Sequence, residues 1–159
     1  SLVNWDTALD EIDCYGGQML SVSREPGLPT MTLRCGSIYI APKPDRVIIG
    51  ATMEPGRATL EPDEGAIAEL RAEAVRLCPA IAYAPELETW AGVRPGTLDH
   101  APLLGKTRAE GLFVASGHYR NGILLAPITA KIMADAMLDG KTGELAAAFS
   151  PARFAAATA

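Results

Sequence analysis

The sequence predicts an α+β fold, an antiparallel sheet carrying a packed helix, followed by a further strand and a second helix. Three observations carry this reading. Short alternating or β-branched runs, broken by proline and glycine, fill the stretch from Gln18 to Thr52. The apolar period then changes from two to about 3.6 between Pro62 and Cys78. Finally, an apolar run at Gly111–Ser116 enters a glycine-flanked turn and a second helical pattern.

Taken in order, QMLSVSR (Gln18–Arg24) alternates apolar and polar residues and predicts a half-buried strand. Strands are also expected over Thr30–Leu33 and Ser37–Ala41, and the turn Pro42-Lys43-Pro44-Asp45 leads into Arg46–Thr52. Together these form an antiparallel meander or hairpin pair. In the helix from Pro62 to Cys78, Ile67, Leu70, Ala74 and Leu77 recur on one face, with Asp63 and Glu64 in the first turn and Pro79 as the stop. Leu87–Val93 is a strand ending in Arg94-Pro95-Gly96-Thr97, and Gly111–Ser116 reads as a buried strand. The second helix, Leu124–Leu138, is apolar on most sides and expected to be buried. Pro127 is placed in its first turn, where a missing N–H is tolerated, and Gly140 ends it. The alanine-rich tail from Glu144 is expected to be a surface helix or partly disordered.

The 159 residues suit one domain of ordinary size, and the 48% hydrophobic, 21% charged composition is that of a globular chain. A formal net charge of −5 argues against nucleic acid and anionic membranes as partners. Cys14, Cys35 and Cys78 are widely spaced and odd in number, which predicts reduced thiols and a cytoplasmic setting. The opening SLVNWDTALDEIDCYGG lacks the basic region and apolar core of a signal peptide, and no Met begins it, as expected of a piece of a longer protein.

The richest stretch is Gly117-His118-Tyr119-Arg120-Asn121-Gly122, at a strand-to-helix junction. A helix N-terminus presents unpaired N–H groups and partial positive charge, and flanking glycines let a flat ligand approach. Such a turn suits an anion or an electron-rich ring edge, or it is simply a tight turn facing solvent. Arg94, held between a strand end and Pro95-Gly96, could clamp a carboxylate with its planar fork, or pair with a surface acid. Arg120 has the same two readings. Tyr39 could offer a hydroxyl to a substrate or bond within the structure, and Met53 could line a pocket or fill the core. His100 and His118 have no metal-ligand spacing, and no Walker A pattern or strand followed by GxGxxG occurs.

Four segments in order resemble the C-terminal half of the glycine oxidases, within the D-amino-acid oxidase family. They are GQMLSV from Gly17; YIAP from Tyr39, leading to IGATMEPG from Ile49; WAGVRPGT from Trp90; and GHYRNGILLAP from Gly117. The resemblance spans about residues 17–140, and its last two segments are specific when they occur together. It implies a flavoenzyme of two parts. Residues 17–110 would form an antiparallel substrate-binding domain and residues 111–140 the last strand and helix of an FAD-binding domain whose main part is missing. Residues 1–16 are an unmatched segment and 141–159 a tail.

By the same resemblance, Arg94 binds the substrate carboxylate, Tyr39 shares it, Arg120 lies near substrate and flavin, and Met53 walls the pocket. Gly117, His118, Arg120, Asn121, Gly122, Ile123 and Leu124 border the flavin ring. The implied activity of the complete protein is FAD-dependent oxidation of glycine or a similar small amine, with peroxide release, in thiamine biosynthesis. FAD is not expected to stay on this chain alone, and its partners would be the missing FAD domain or further copies of itself. The alternatives are a non-catalytic binding module derived from such a domain and a sarcosine or dimethylglycine dehydrogenase type of enzyme.

Overall fold

A computed structural model describes residues 7–140 and 143–158. The ends of the predicted segments 1–16 and 141–159 therefore lie partly outside the described residues. The strands are β1 (Ile12–Ser23), β2 (Leu33–Cys35), β3 (Ile38–Pro42), β4 (Arg46–Gly50), β5 (Glu54–Pro55), β6 (Glu86–Thr97), β7 (Leu103–Lys106) and β8 (Phe113–Ser116). The helices are α1 (Glu64–Leu77), α2 (Gly122–Leu138) and the single turn α3 (Glu144–Ala147). Short 3-10 turns occupy Thr7–Leu9, Pro79–Tyr83 and Pro151–Thr158. The chain packs as two compact units, residues 15–93 and a second from Arg94 onward joined by the segment ending at Cys14.

In the unit of residues 15–93, the sheet order is β2-β3-β4-β1-β5, with β6 also paired to β1. The pairings with recorded register are antiparallel, as the alternating runs predict. Alternation puts Leu20 and Val22, Ile38 and Ile40, and Val47 and Ile49 on one face, all buried. Ile67, Leu70 and Ala74 of α1 close that face, with Ile81 of the following turn. At roughly 25 cal/mol per Å² of apolar surface, each such aliphatic side chain contributes about 1.5–3 kcal/mol. Met19, Tyr39 and Gly50 alternate to the opposite face, and Gly50 is the register partner of both Met19 and Tyr39.

The sequence reading misplaced several boundaries, each for a local reason. β1 starts at Ile12 rather than Gln18 because Tyr15 and Gly16 pair with Pro55 and Glu54, contacts no alternation announces. Gly16 is required there, since a Cβ would sit 2.8 Å from the Arg57 Cβ. β2 is Leu33–Cys35, not Thr30–Leu33, because Gly36 and Ser37 form the two-residue turn that fixes the register Cys35↔Ile38. Gly36 takes φ 56°, which suits glycine. β4 ends at Gly50 rather than Thr52, and β5 and β7, short and without a period of their own, were not anticipated.

The second unit departs further. β6 runs through Arg94-Pro95-Gly96 to Thr97 instead of ending at Val93. Strand geometry survives Pro95 because its carbonyl, not an N–H, makes the contact, accepting from the Tyr119 N–H at 2.8 Å. β8 pairs antiparallel with β7 and is half-buried rather than buried. Helix α2 begins at Gly122, two residues early, because the Asn121 carbonyl accepts the Leu125 N–H at 2.8 Å. Pro127 is thus the sixth helical residue, past the first turn, and the Ile123 carbonyl loses its usual intrahelical donor.

The expected burial of α2 is also corrected. Only Ile132 and Met133 are buried, against Leu104 and Ala146, while Ile123, Leu124 and Leu138 are 96%, 77% and 84% exposed. The apolar face that the sequence assigned to a core is uncovered in this chain. The tail, by contrast, is structured where described: Ala146 and Pro151 are buried, and the Phe149 carbonyl accepts the Leu104 N–H at 2.9 Å. No helix among the described residues is long and apolar enough to cross a membrane.

Asp63 caps α1, its carboxylate accepting the Ala66 N–H at 2.9 Å. Asp63→Ala is expected to lower stability by about 1 kcal/mol, seen as a lower urea midpoint with an unchanged m-value. A midpoint equal to that of the unmutated chain would show that the cap is immaterial.

Candidate functional site

The two compact units carry different parts of the predicted site. Tyr39 and Met53 belong to the unit of residues 15–93; Arg94 and the turn Gly117–Gly122 belong to the other.

In the second unit two of the sequence-predicted segments are brought together by backbone pairing. Gly96 forms a β-bridge with His118, and the Pro95 carbonyl accepts the Tyr119 N–H. Arg94 and Arg120 each lie one residue beyond that hydrogen bond, so both arginines are tied to one rigid crossing of strand and turn. Arg94 is half-buried and Arg120 exposed. Gly117 has φ 75°, and a Cβ on it would meet the Thr97 Cγ2 at 3.0 Å, so the turn passes tightly over the end of β6. Tyr119 is itself left-handed (φ 54°) and stacks on His100 (φ 56°), with ring centroids 5.0 Å apart.

The turn delivers the chain into α2 without a side-chain cap from Asn121 and without an acid in the first turn. Asn121, Gly122, Ile123 and Leu124 are exposed. The first N–H groups of the helix and its partial positive charge therefore face outward, uncompensated by a capping side chain. A Cβ on Gly122 would find only the His118 Cβ, at 3.6 Å. Such a helix start, at Gly122, Ile123 and Leu124, suits an anion or the electron-rich edge of a ring.

His118 turns the other way. Its Nε2 lies 2.9 Å from the Thr129 Oγ1 two turns along α2, binding the turn to the helix. Burial holds its pKa below the ordinary histidine value.

In the unit of residues 15–93, Tyr39 lies over Gly50: a Cβ there would fall 2.7 Å from the Tyr39 hydroxyl and 3.1 Å from the Met19 Cε. The Tyr39 hydroxyl is 3.8 Å from the Met19 Sδ. Met53 follows Thr52, which is anchored on both sides to Gln18: the Gln18 N–H donates to the Thr52 hydroxyl at 2.8 Å, and the Thr52 N–H to the Gln18 carbonyl at 3.2 Å.

The sequence reading did not single out Met19, Gln18, Gly50, Thr97, Asp99 or Arg153. Gly50 had a legible signal, a glycine inside a β-branched run, which marks close approach. Among the described residues no group of three or more His, Cys, Asp and Glu is placed to hold a metal ion.

The profile of the FAD-dependent oxidoreductase family (DAO) matches residues 7–136, and the chain belongs to that family. It is similar to the bifunctional protein ThiO/ThiG of Trichormus variabilis, 42% identical over 143 residues that cover 87% of this chain and 22% of that protein. It is likewise similar to the glycine oxidase of Geobacillus kaustophilus, 41% identical over 130 residues covering 80% of this chain and 34% of that protein. The crystal structure of glycine oxidase from Geobacillus kaustophilus superposes with a TM-score of 0.82 at 37% identity, covering 90% of this chain and 40% of that one. The chain thus spans well under half the length of these relatives.

Because burial lowers the His118 pKa, the unfolded chain takes up the proton first as pH falls. The contribution of neutral His118 to stability is present above the ordinary histidine range and is lost as pH drops through the depressed folded value. Urea midpoints should therefore fall between pH 7.5 and pH 5.5, and His118→Gln should flatten that difference; an equal drop in the variant would place its origin elsewhere.

Proposed function

We propose that this chain is the C-terminal part of an FAD-dependent oxidase that oxidises glycine or a similar small amino acid or amine and releases hydrogen peroxide, in thiamine biosynthesis. The observation that carries the reading is the pairing of the Arg94 strand end with the turn opening α2, in a chain whose relatives are named glycine oxidases. Residues 17–110 are proposed as the substrate-binding domain and 111–140 as the closing strand and helix of the FAD-binding domain, with 141–159 as a tail. The name ThiO/ThiG of a relative supports the thiamine setting.

When bound, FAD supplies the hydride acceptor and passes the electrons on to oxygen. The tasks of this chain are then orientation and electrostatics. Arg94 binds the substrate carboxylate through its planar fork, and Tyr39 adds a hydroxyl to the same carboxylate. Met53 forms an apolar wall, and Arg120 adds positive charge beside the turn. Orienting the Cα is enough for hydride transfer if the amine binds neutral, so no general base is needed from these residues. The outward amides at the start of α2 favour negative charge at the ring edge.

The exposed face of α2, with Ile123, Leu124 and Leu138, is proposed to be covered by the FAD-binding portion of the complete protein. Purified alone, the 159-residue chain should show no flavin absorbance, because no GxGxxG cradle for the pyrophosphate is present in it. It should self-associate in light scattering as concentration rises. Near-stoichiometric flavin or a monomer over a wide concentration range would contradict this division of labour.

In the complete enzyme, Arg94→Ala should remove one or two charge-assisted hydrogen bonds, each worth roughly 1.5–3 kcal/mol. The loss should appear chiefly in KM, because the carboxylate charge is nearly the same in ground and transition states. Arg94→Lys should restore part of it, and Tyr39→Phe should cost less, on the order of 1 kcal/mol. Amines without a carboxylate should be nearly indifferent to Arg94→Ala. Equal losses on glycine and on simple amines, with FAD still bound, would make Arg94 structural.

A further inference from the structure

The C-terminal segment fastens onto the unit from Arg94 onward through one side chain. The Arg153 guanidinium is 17% exposed and grips the Asp99 carboxylate with two N–H groups, Nε to Oδ2 at 2.8 Å and Nη2 to Oδ1 at 3.2 Å. Its remaining donors reach main-chain carbonyls: Nη2 donates to Ala101 at 2.7 Å, and Nη1 to Phe149 at 2.9 Å and Pro102 at 3.0 Å. The guanidinium also stacks 4.5 Å from the Phe154 ring centroid. Such planar, multiply bonded geometry is specific to arginine and cannot be reproduced by an ammonium.

Asp99 passes this fixation on. Its Oδ1 lies 2.8 Å from the Thr97 Oγ1 and accepts the Ala101 N–H at 3.0 Å. The bond from Arg153 holds the Asp99 carboxyl well below the usual carboxylate range, so it stays ionised at any pH of interest. Thr97 is fully buried and faces two ways. Its hydroxyl is engaged by Asp99 and the Ala101 carbonyl, the latter at 2.7 Å, and its methyl packs on Gly117, where an added Cβ would lie only 3.0 Å away. Fixing the hydroxyl fixes the rotamer, and the rotamer fixes the floor under the turn.

We propose that Arg153 is a positioning residue that acts through Asp99 and Thr97 to hold the Arg94 strand end against the Gly117–Gly122 turn. Its relevance to catalysis rests on the roles proposed above for Arg94 and the turn, but the mechanical link itself does not. Fastening of the C-terminal segment alone would require no more than the carbonyl contacts to Phe149 and Pro102. The Asp99 fork and the buried Thr97 carry the constraint from the tail to the turn through the contacts already given, so each link can be cut separately.

 The experiment separates them. In the 159-residue chain, Arg153→Met and Thr97→Val should each speed hydrogen exchange at the Tyr119 amide by about ten- to hundredfold, the scale of one lost charge-assisted or buried hydrogen bond. The amides of Ile49 and Gly50, in the other unit, should not change. Arg153→Lys should fall between Arg153→Met and the unmutated chain. Faster exchange confined to Phe149–Arg153, with Tyr119 unaffected, would overturn the proposal, and so would a Thr97→Val variant that leaves Tyr119 protected. If Arg153→Met accelerates every amide, the Thr97→Val result decides.

In the flavin-loaded complete enzyme, Asp99→Asn should raise KM for the carboxylate substrate more than it lowers kcat. An exchange response without this kinetic response would uphold the link and sink the oxidase role given to Arg94.

Discussion

The unit of residues 15–93 depends on one buried, uncharged side chain. Gln18 is fully buried in β1, and its amide donates to the Glu54 carboxylate at 2.8 Å while its carbonyl oxygen accepts the Asp63 N–H at 2.6 Å. Its main chain also holds Thr52 from both sides. A single residue thereby ties the middle of the sheet to the segment carrying Met53 and to the cap of α1. Removing that amide would break both part-buried hydrogen bonds at once, each worth about 0.5–1.5 kcal/mol or more where the carboxylate is the acceptor. The apolar core under α1 supplies most of the stability, but Gln18 decides where the helix begins and where the chain leaves β4.

The unit from Arg94 onward is organised differently. It has a small core, Leu104, Ile132, Met133 and Ala146, and relies on polar fixation around Asp99 and on a turn with two left-handed residues, Gly117 and Tyr119. Its apolar content is spent on the outer face of α2. With that face uncovered, the elements behind it are held by contacts that do not need a cover.

How much of this was legible in the sequence follows from the range of the interactions involved. Alternation in Gln18–Arg24 and Arg46–Thr52 and the helical period of Ile67, Leu70 and Ala74 report a local choice of face, so the sheet, α1 and their shared core could be read directly. The extension of β1 to Ile12 depends on pairing with Glu54 and Pro55, about forty residues away in sequence, and leaves no periodic trace. The apolar composition of α2 predicted burial, but only Ile132 and Met133 are covered, because composition alone does not say whether a neighbouring element packs on a face. Of the site, family resemblance supplied the Arg94 and Gly117 segments and their order, but their backbone pairing was not predicted, since no spacing rule joins residues that far apart. Asp99 and Arg153 were not legible at all, because an arginine in an alanine-rich tail has no local pattern that names its partner.

Gly50 carries a consequence for how this sheet can change over evolutionary time. The Tyr39 ring and the Met19 methyl occupy the space a side chain at position 50 would need, and position 50 is the register partner of both. The three positions therefore form one volume shared by three residues. A lineage that gains even an alanine at position 50 must first, or at the same time, shrink the aromatic residue at 39. Substitutions there should arrive as correlated sets across homologues, and a homologue with a smaller residue at 39 is where a non-glycine at 50 should be found.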